Sequence, residues 1–519
     1  MSRGVVIEVG EYGPRYEGEL ESNNLHREIY RWGPKALTVG PDGTFWVADT
    51  VGIRVLGYDA VGNQSAAVSL KGHAVGLDDV KATESSLFAL DASGDAPVVL
   101  QFASDGQVLE SFAVPPAQNM AAAAGNEGQE RVATALRVTE DQQVLIEYSG
   151  GAGFEPVQPA AAFAGPLEAL PSGGRSYRVQ LDAVEDGAPA TASLWVDGNT
   201  VPIKVNNTLG SERLLGVSPA DGSVYAEVEE LSMSADRLDV DLTVWRFDAD
   251  GNPRGVARVP LRDRYTYVPN GQAIGPDGNV YTLITYADRV EIQPLEFSDS
   301  SLPRILAKPS GSTRGTQMIP GLAAAAADGC IDRATIEANA FRFRNNQIQL
   351  SEQNKSGACA GRGKPRYFDG QFGSRSVAYD WGGFDSVDEY NQFMAQGFQA
   401  GDINVDSPAS SGGVEKCSKG VDCSGFVSRC WGLKSKQGTA TIYTVSNRLP
   451  SFGALKKGDI INLAGRHVVL FSHRDPSDGR PWAWESTLDG AVDRVVWKPN
   501  PWSRYIGWDP RRFNGLCDP

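Results

Sequence analysis

The feature that most restricts the fold of this chain is a repeated unit of turn and strand. A small residue, Pro, Asp and Gly precede an alternating strand in VGPDGTFWVAD (39–49), VSPADGSVYAEV (217–228) and IGPDGNVYTLI (274–284). A second unit ends a strand on an aromatic and follows it with a polar Gly turn: LGYDAVGNQ (56–64), LQFASDGQV (100–108) and WRFDADGNP (245–253). Such turns, flanked by alternating apolar residues, are hairpin signals, because glycine and asparagine accept the positive φ that tight turns require. Units begin near residues 34, 72, 131, 174, 212 and 268. This blade-like spacing predicts an all-β propeller of about six blades over residues 1–297. The third and fourth units are weakly marked, which leaves five or seven blades open.

Charge and cysteine divide the chain at the same place. Residues 1–319 carry 24 basic and 43 acidic side chains, net −19, and residues 320–519 carry 24 and 21, net +3, which together give the overall −16. The long acidic part lacks the basic footprint that nucleic-acid binding requires, so nucleic acid is excluded as a partner. All six cysteines, at 330, 359, 417, 423, 430 and 517, fall in the last 200 residues. Residues 298–328 are rich in Ser, Pro and Gly and read as a linker. No apolar run approaches the roughly 20 residues that span a bilayer. The first residues, MSRGVVIEVGEYG, have no signal-peptide pattern. His26 and His73 stand alone, and no zinc spacing accompanies them.

Chemistry concentrates in residues 329–519. In VDCSGFVSRCWG, Cys423, Phe426, Val427 and Cys430 recur at helical spacing, and Asp422 stands where an N-cap is expected. A thiol at a helix N-terminus is favoured as thiolate, which makes Cys423 a candidate nucleophile. Cys430, one helical face on, reads as core. The segment KKGDIINLAGRHVVLFSHR predicts two strands, near 459–464 and 467–472, with His467 opening the second. His473 lies roughly 20 Å further along that strand and is expected to face solvent. His467 is therefore the candidate base. Pairing with the following strand, PWAWEST (481–487), brings Glu485 or Thr487 beside it, and the carboxylate is the stronger orienting group.

The segments DCSGFV and KKGDIINLAGRHVVLF, preceded by SVAYDWGG (376–383), resemble NlpC-type cysteine peptidases of bacterial cell-wall turnover over about residues 365–519. The resemblance implies an α+β papain-like cysteine peptidase domain over 329–519. It also implies the roles Cys423 nucleophile, His467 base, Glu485 orienter and Tyr379 polariser. The implied substrate is a peptidoglycan or muropeptide stem peptide, hydrolysed at a D-glutamyl–diamino acid bond without metal or organic cofactor. An extracellular or envelope location would suit that substrate. The propeller would then bind an unidentified ligand or protein. Residues 384–421, with an amphipathic helix in DSVDEYNQFMAQGF, are longer than the family pattern. Two other readings compete: a propeller scaffold carrying a relic peptidase, and a hydrolase of a protein or lipid amide. Cys330 with Cys359 and Cys417 with Cys517 are the expected disulfides.

Overall fold

The computed structural model describes residues 4–16, 31–93, 97–114, 132–149, 153–158, 167–182, 191–234, 237–261, 263–298, 329–356, 376–402, 417–488 and 493–517. The predicted linker lies almost wholly outside the described residues, as do His26 and the Ser-rich loop before Cys417.

Six antiparallel sheets follow one another in the first half. Blade I comprises Ala36–Val39, Phe45–Asp49, Arg54–Tyr58 and Gln64–Ser69, and blade II Asp79–Ala82, Leu87–Asp91, Val98–Phe102 and Val108–Ala113. Blade III shows three strands among the described residues, Ala133–Val138, Val144–Tyr148 and Phe154–Pro156. Blade IV is Leu170–Ser172, Arg175–Asp182, Thr191–Val196 and Asn199–Ile203, with Leu170–Ser172 at one edge of the sheet. Blade V, with long strands Thr208–Val217, Val224–Ser234 and Arg237–Phe247, ends with Pro253–Arg258. Blade VI combines Gln272–Ile274, Val280–Thr285 and Arg289–Pro294 with Val5–Glu8, the first described strand of the chain, as its outer edge.

Apolar clusters join each blade to the next. Blades I and II share a core around Val55, Leu77 and Leu100, and blades II and III one around Leu90, Leu136 and Ile146. Blades III, IV and V meet around Leu145, Leu194 and Val224, blades V and VI around Val244 and Val280. Ile7, Val47 and Leu283 close blade VI onto blade I. The ring is a six-bladed β-propeller, in agreement with the spacing of the turns. The GPDG turns are built by their own side chains: Asp42 Oδ1 accepts from Thr44 N at 3.0 Å, and Gly43 adopts φ +84°.

The second half places helices α1 (Arg333–Arg344), α2 (Glu352–Ser356), α3 (Val387–Ala395) and α4 (Cys423–Cys430) beside a six-stranded antiparallel sheet. Its strands are β1 (Ser446–Arg448), β2 (Ile460–Leu463), β3 (His467–Arg474), β4 (Pro481–Leu488), β5 (Asp493–Pro499) and β6 (Asp509–Phe513), in the order β1-β6-β2-β3-β4-β5. Helix α3 is the amphipathic helix expected in the longer segment; a Ser386–Glu389 capping box starts it, and Val387, Tyr390 and Met394 face inward. The disulfide is Cys330–Cys517, which corrects both expected pairings. The reason is backbone pairing: Ile331 N donates to Gly515 O at 2.9 Å and Cys517 N to Ile331 O at 3.0 Å, drawing the two ends of this half together. Cys417 is also disulfide-bonded, and Cys359 lies outside the described residues.

The two halves share a core. Strand alternation sends Val468 and Leu470 toward α4, and Val469, Phe471 and Ala483 toward Leu231, Leu238 and Val240 of blade V. Trp502 sits at the centre of this junction. Its ring N–H donates to the carbonyls of Gly210 and Gly479 at 3.0 Å, and its backbone N–H to Glu229 Oε2 at 2.7 Å. Gly210 is required here, because a Cβ would meet Leu231 at 2.7 Å and the Trp502 ring at 2.9 Å. Truncation of a fully buried indole costs about 3–5 kcal/mol. Trp502→Ala is therefore expected to lower stability by about that amount in urea unfolding, with the propeller and sheet signals shifted together.

Candidate active site

Helix α4 starts where the sequence places it, with Asp422 as its cap. Asp422 Oδ1 accepts from Gly425 N at 2.6 Å and from Ser424 Oγ at 3.1 Å. Its Oδ2 accepts from Gly382 N at 3.0 Å and pairs with Lys436. The cap thus ties the Tyr-Asp-Trp-Gly-Gly segment to the head of the helix. Two glycines permit the close approach: a Cβ at Gly425 would lie 2.0 Å from Gly383 O, and one at Gly383 would lie 2.5 Å from Gly420 O. Tyr379 pairs with Val421 in a parallel bridge, two residues before Cys423, and is itself buried.

Cys423, at the first turn of α4, and Cys430, at its end, are both buried and outside any disulfide. Burial pushes the Cys430 thiol well above its ordinary value, as expected of a core cysteine. Helix α4 packs across β3 and β4. Cys423 shares its apolar cluster with Val468, the residue after His467. Ser486, the residue after Glu485, donates its hydroxyl to Val421 O at 2.7 Å. The head of the helix therefore lies against Val468 and Ser486, whereas His467 and Glu485 alternate with these and share the strand face of Val469 and Ala483.

His467 Nε2 lies 2.8 Å from Glu485 Oε2. Thr487, the other candidate orienter, is buried, and its hydroxyl has no hydrogen-bond partner among the described residues. The ring edge of Trp508 flanks the imidazole, with centroids 6.0 Å apart and planes at 86°. A contact from Nε2 to a carboxylate leaves Nδ1 as the nitrogen available for proton exchange. His473 departs from expectation. A bulge between Phe471 and His473 breaks the strand alternation, and the ring stacks on Trp482 at 5.5 Å rather than facing water.

One residue of the site carries no sequence signal. Arg504, in a 3₁₀ turn, grips Glu485 with both terminal nitrogens, each at 2.7 Å. Its guanidinium lies 5.6 Å from the Trp32 ring centroid and 5.5 Å from that of Tyr267, both from the propeller. Burial alone would raise the Glu485 carboxyl, but the Arg504 charge and the His467 contact outweigh it and hold it well below the usual carboxylate range. A cavity of about 870 Å³ lies between the halves, lined by Arg504 and Trp508 on one side and by Arg31, Asp239, Tyr265 and Tyr267 on the other. Among the described residues no group of His, Cys, Asp and Glu could hold a metal ion. No described helix is long and apolar enough to cross a membrane.

No protein-family model matches the chain, and no curated protein matches it. Solved structures similar to it include a streptogramin B lyase, at 10% identity and a TM-score of 0.30, covering 54% of this chain and 98% of the other. A virginiamycin B lyase from Staphylococcus aureus matches at 8% identity and 0.29, covering 54% and 99%. The periplasmic gluconolactonase of Pseudomonas aeruginosa matches at 16% and 0.30, covering 57% and 96%. At these scores the likeness supports no inference about activity, and the propeller stands on its own strand pairing and interblade packing.

The depressed Glu485 carboxyl makes stability depend on pH. Its contribution is complete above the unfolded-state value of about 4.3 and is lost as pH falls through the lower folded-state value. Glu485→Gln is expected to be less stable than the parent by about 3–5 kcal/mol at pH 7, because it leaves Arg504 buried without its counter-charge. That difference should shrink as pH falls from 5 toward 2, as read by urea unfolding at each pH.

Proposed function

We propose that the chain is a cysteine hydrolase of amide bonds, with an NlpC-type, papain-like domain over 329–519 and the propeller over 1–297 as its binding or positioning module. The observation that carries this reading is the contact of His467 with Glu485 at 2.8 Å, on strands packed against the helix headed by Cys423. Buried surroundings and a capped helix N-terminus favour an active thiol rather than a structural one only in combination with a base and its orienter.

In this mechanism His467 takes the proton of Cys423, and the thiolate attacks the amide carbonyl. The backbone N–H of Cys423 and the hydroxyl of Tyr379 stabilise the oxyanion. The C–N bond then breaks, and His467 passes the proton to the departing amine, leaving a thioester on Cys423. Water, deprotonated by His467, attacks the thioester and releases the carboxylic acid and the free thiol. Glu485 keeps the imidazole oriented and stabilises its charged form, and Arg504 holds Glu485 in place. The substrate proposed on the family resemblance is a peptidoglycan stem peptide cut between D-glutamate and the diamino acid.

Incubation with muropeptides of defined composition, with products identified by mass, tests the substrate. Cleavage at the D-glutamyl bond supports the proposal, and turnover of only a protein or lipid amide moves the chain to another substrate class. Cys423→Ala should abolish hydrolysis while leaving the unfolding transition unchanged. Hydrolysis by that variant at the parent rate would overturn the mechanism. Glu485→Gln should lower kcat by about 10²–10⁴ with a smaller change in KM, as loss of an orienting acid–base partner does.

A further inference from the structure

The propeller half is strongly acidic, yet three cations converge on its axis. Lys81, Arg137 and Arg213 project from the inner strands of blades II, III and V. Lys81 Nζ reaches Asp79 Oδ1 at 2.9 Å. Arg137 pairs with Glu147 and donates to the carbonyls of Leu136 at 3.0 Å and Leu214 at 2.9 Å. Arg213 reaches Glu227 at 3.2 Å and Asn270 Oδ1.

These three side chains line a cavity of about 450 Å³, to which all six blades contribute. Its walls are the far ends of the inner strands, around Val39, Ala82, Val138, Val217 and Ile274. The C-terminal half docks at their other ends, where Glu212 N donates to Asp478 O at 2.8 Å. The cavity therefore opens on the face of the propeller away from the thiol and is backed by the docked half. The lining contains the three cations but none of their carboxylate partners Asp79, Glu147 and Glu227. All three cations line the space, while the carboxylates that they bond lie off the lining. Arg137 Nε is also buried without a hydrogen-bond partner. Burial pulls the Lys81 and Arg137 groups below their ordinary values, whereas the charges of Glu227 and Glu147 outweigh burial at Arg213 and raise it.

We propose that this axial cavity binds a small anion, a molecule bearing a carboxylate or phosphate, seated on Lys81, Arg137 and Arg213. Guanidinium and ammonium groups form charge-assisted hydrogen bonds with such anions. The lining also carries the exposed carboxylates Glu84 and Glu140, which repel an anion seated there.

Calorimetric titration of the full chain with citrate, gluconate and inorganic phosphate tests the site. The expected result is saturable 1:1 binding of at least one probe. Response to phosphate alone identifies a phosphate-bearing ligand, and response to citrate or gluconate alone a carboxylate. Lys81→Met should weaken binding by about 10–100-fold, the effect of losing one charge-assisted hydrogen bond. Glu84→Gln, at an exposed position, retains the fold and should tighten binding. Absence of saturable binding for all three probes, or affinity unchanged in both variants, would overturn the proposal. Cys423→Ala should bind as the parent does, so the outcome is independent of the hydrolase reading.

Discussion

The buried pair of Glu485 and Arg504 is the interaction on which the candidate site depends. Two opposite charges removed from water are tolerated only where geometry is good and remaining hydrogen-bond capacity is used. Here both carboxylate oxygens meet guanidinium nitrogens, one of them also meets His467, and the guanidinium lies near three aromatic rings. Two of those rings, Trp32 and Tyr267, belong to the propeller. The orientation of the imidazole is thus supported by residues several hundred positions earlier in the chain.

This arrangement changes the relation between the halves. Interfaces between domains of one chain are commonly modest and polar, and relative motion is the usual expectation. The junction described here has an apolar interior, with Trp502 and Trp508 packed beside Leu231, Leu238 and Val240. Glu229 adds directed hydrogen bonds to Trp502 N and Ser503 N, both at 2.7 Å. A propeller joined in this way serves as structural support for the candidate site, whatever else it binds.

Much of this was legible from local patterns. Turns such as GPDG specify hairpins through three or four residues, so their spacing pointed to about six blades while five or seven stayed open. The capped helix at Cys423, the strand at His467 and the proximity of Glu485 likewise follow from short-range periodicity and one hairpin register. What the sequence did not reveal depends on distant contacts. Nothing near Arg504 marks it as the partner of Glu485, and nothing near Trp32 marks it as a neighbour of Arg504. His473 escaped because a bulge reverses strand alternation, and the Cys330–Cys517 bridge because the ends of the second half pair through their backbones.

The first strand also bears on how the molecule is made. Val5–Glu8 forms the outer edge of blade VI, whose other strands lie at residues 272–294. Only when residues 289–294 appear can it add to the sheet and close the ring. Closure of the ring is therefore a long-range pairing, joining Val5 to Ile292 and Glu8 to Arg289.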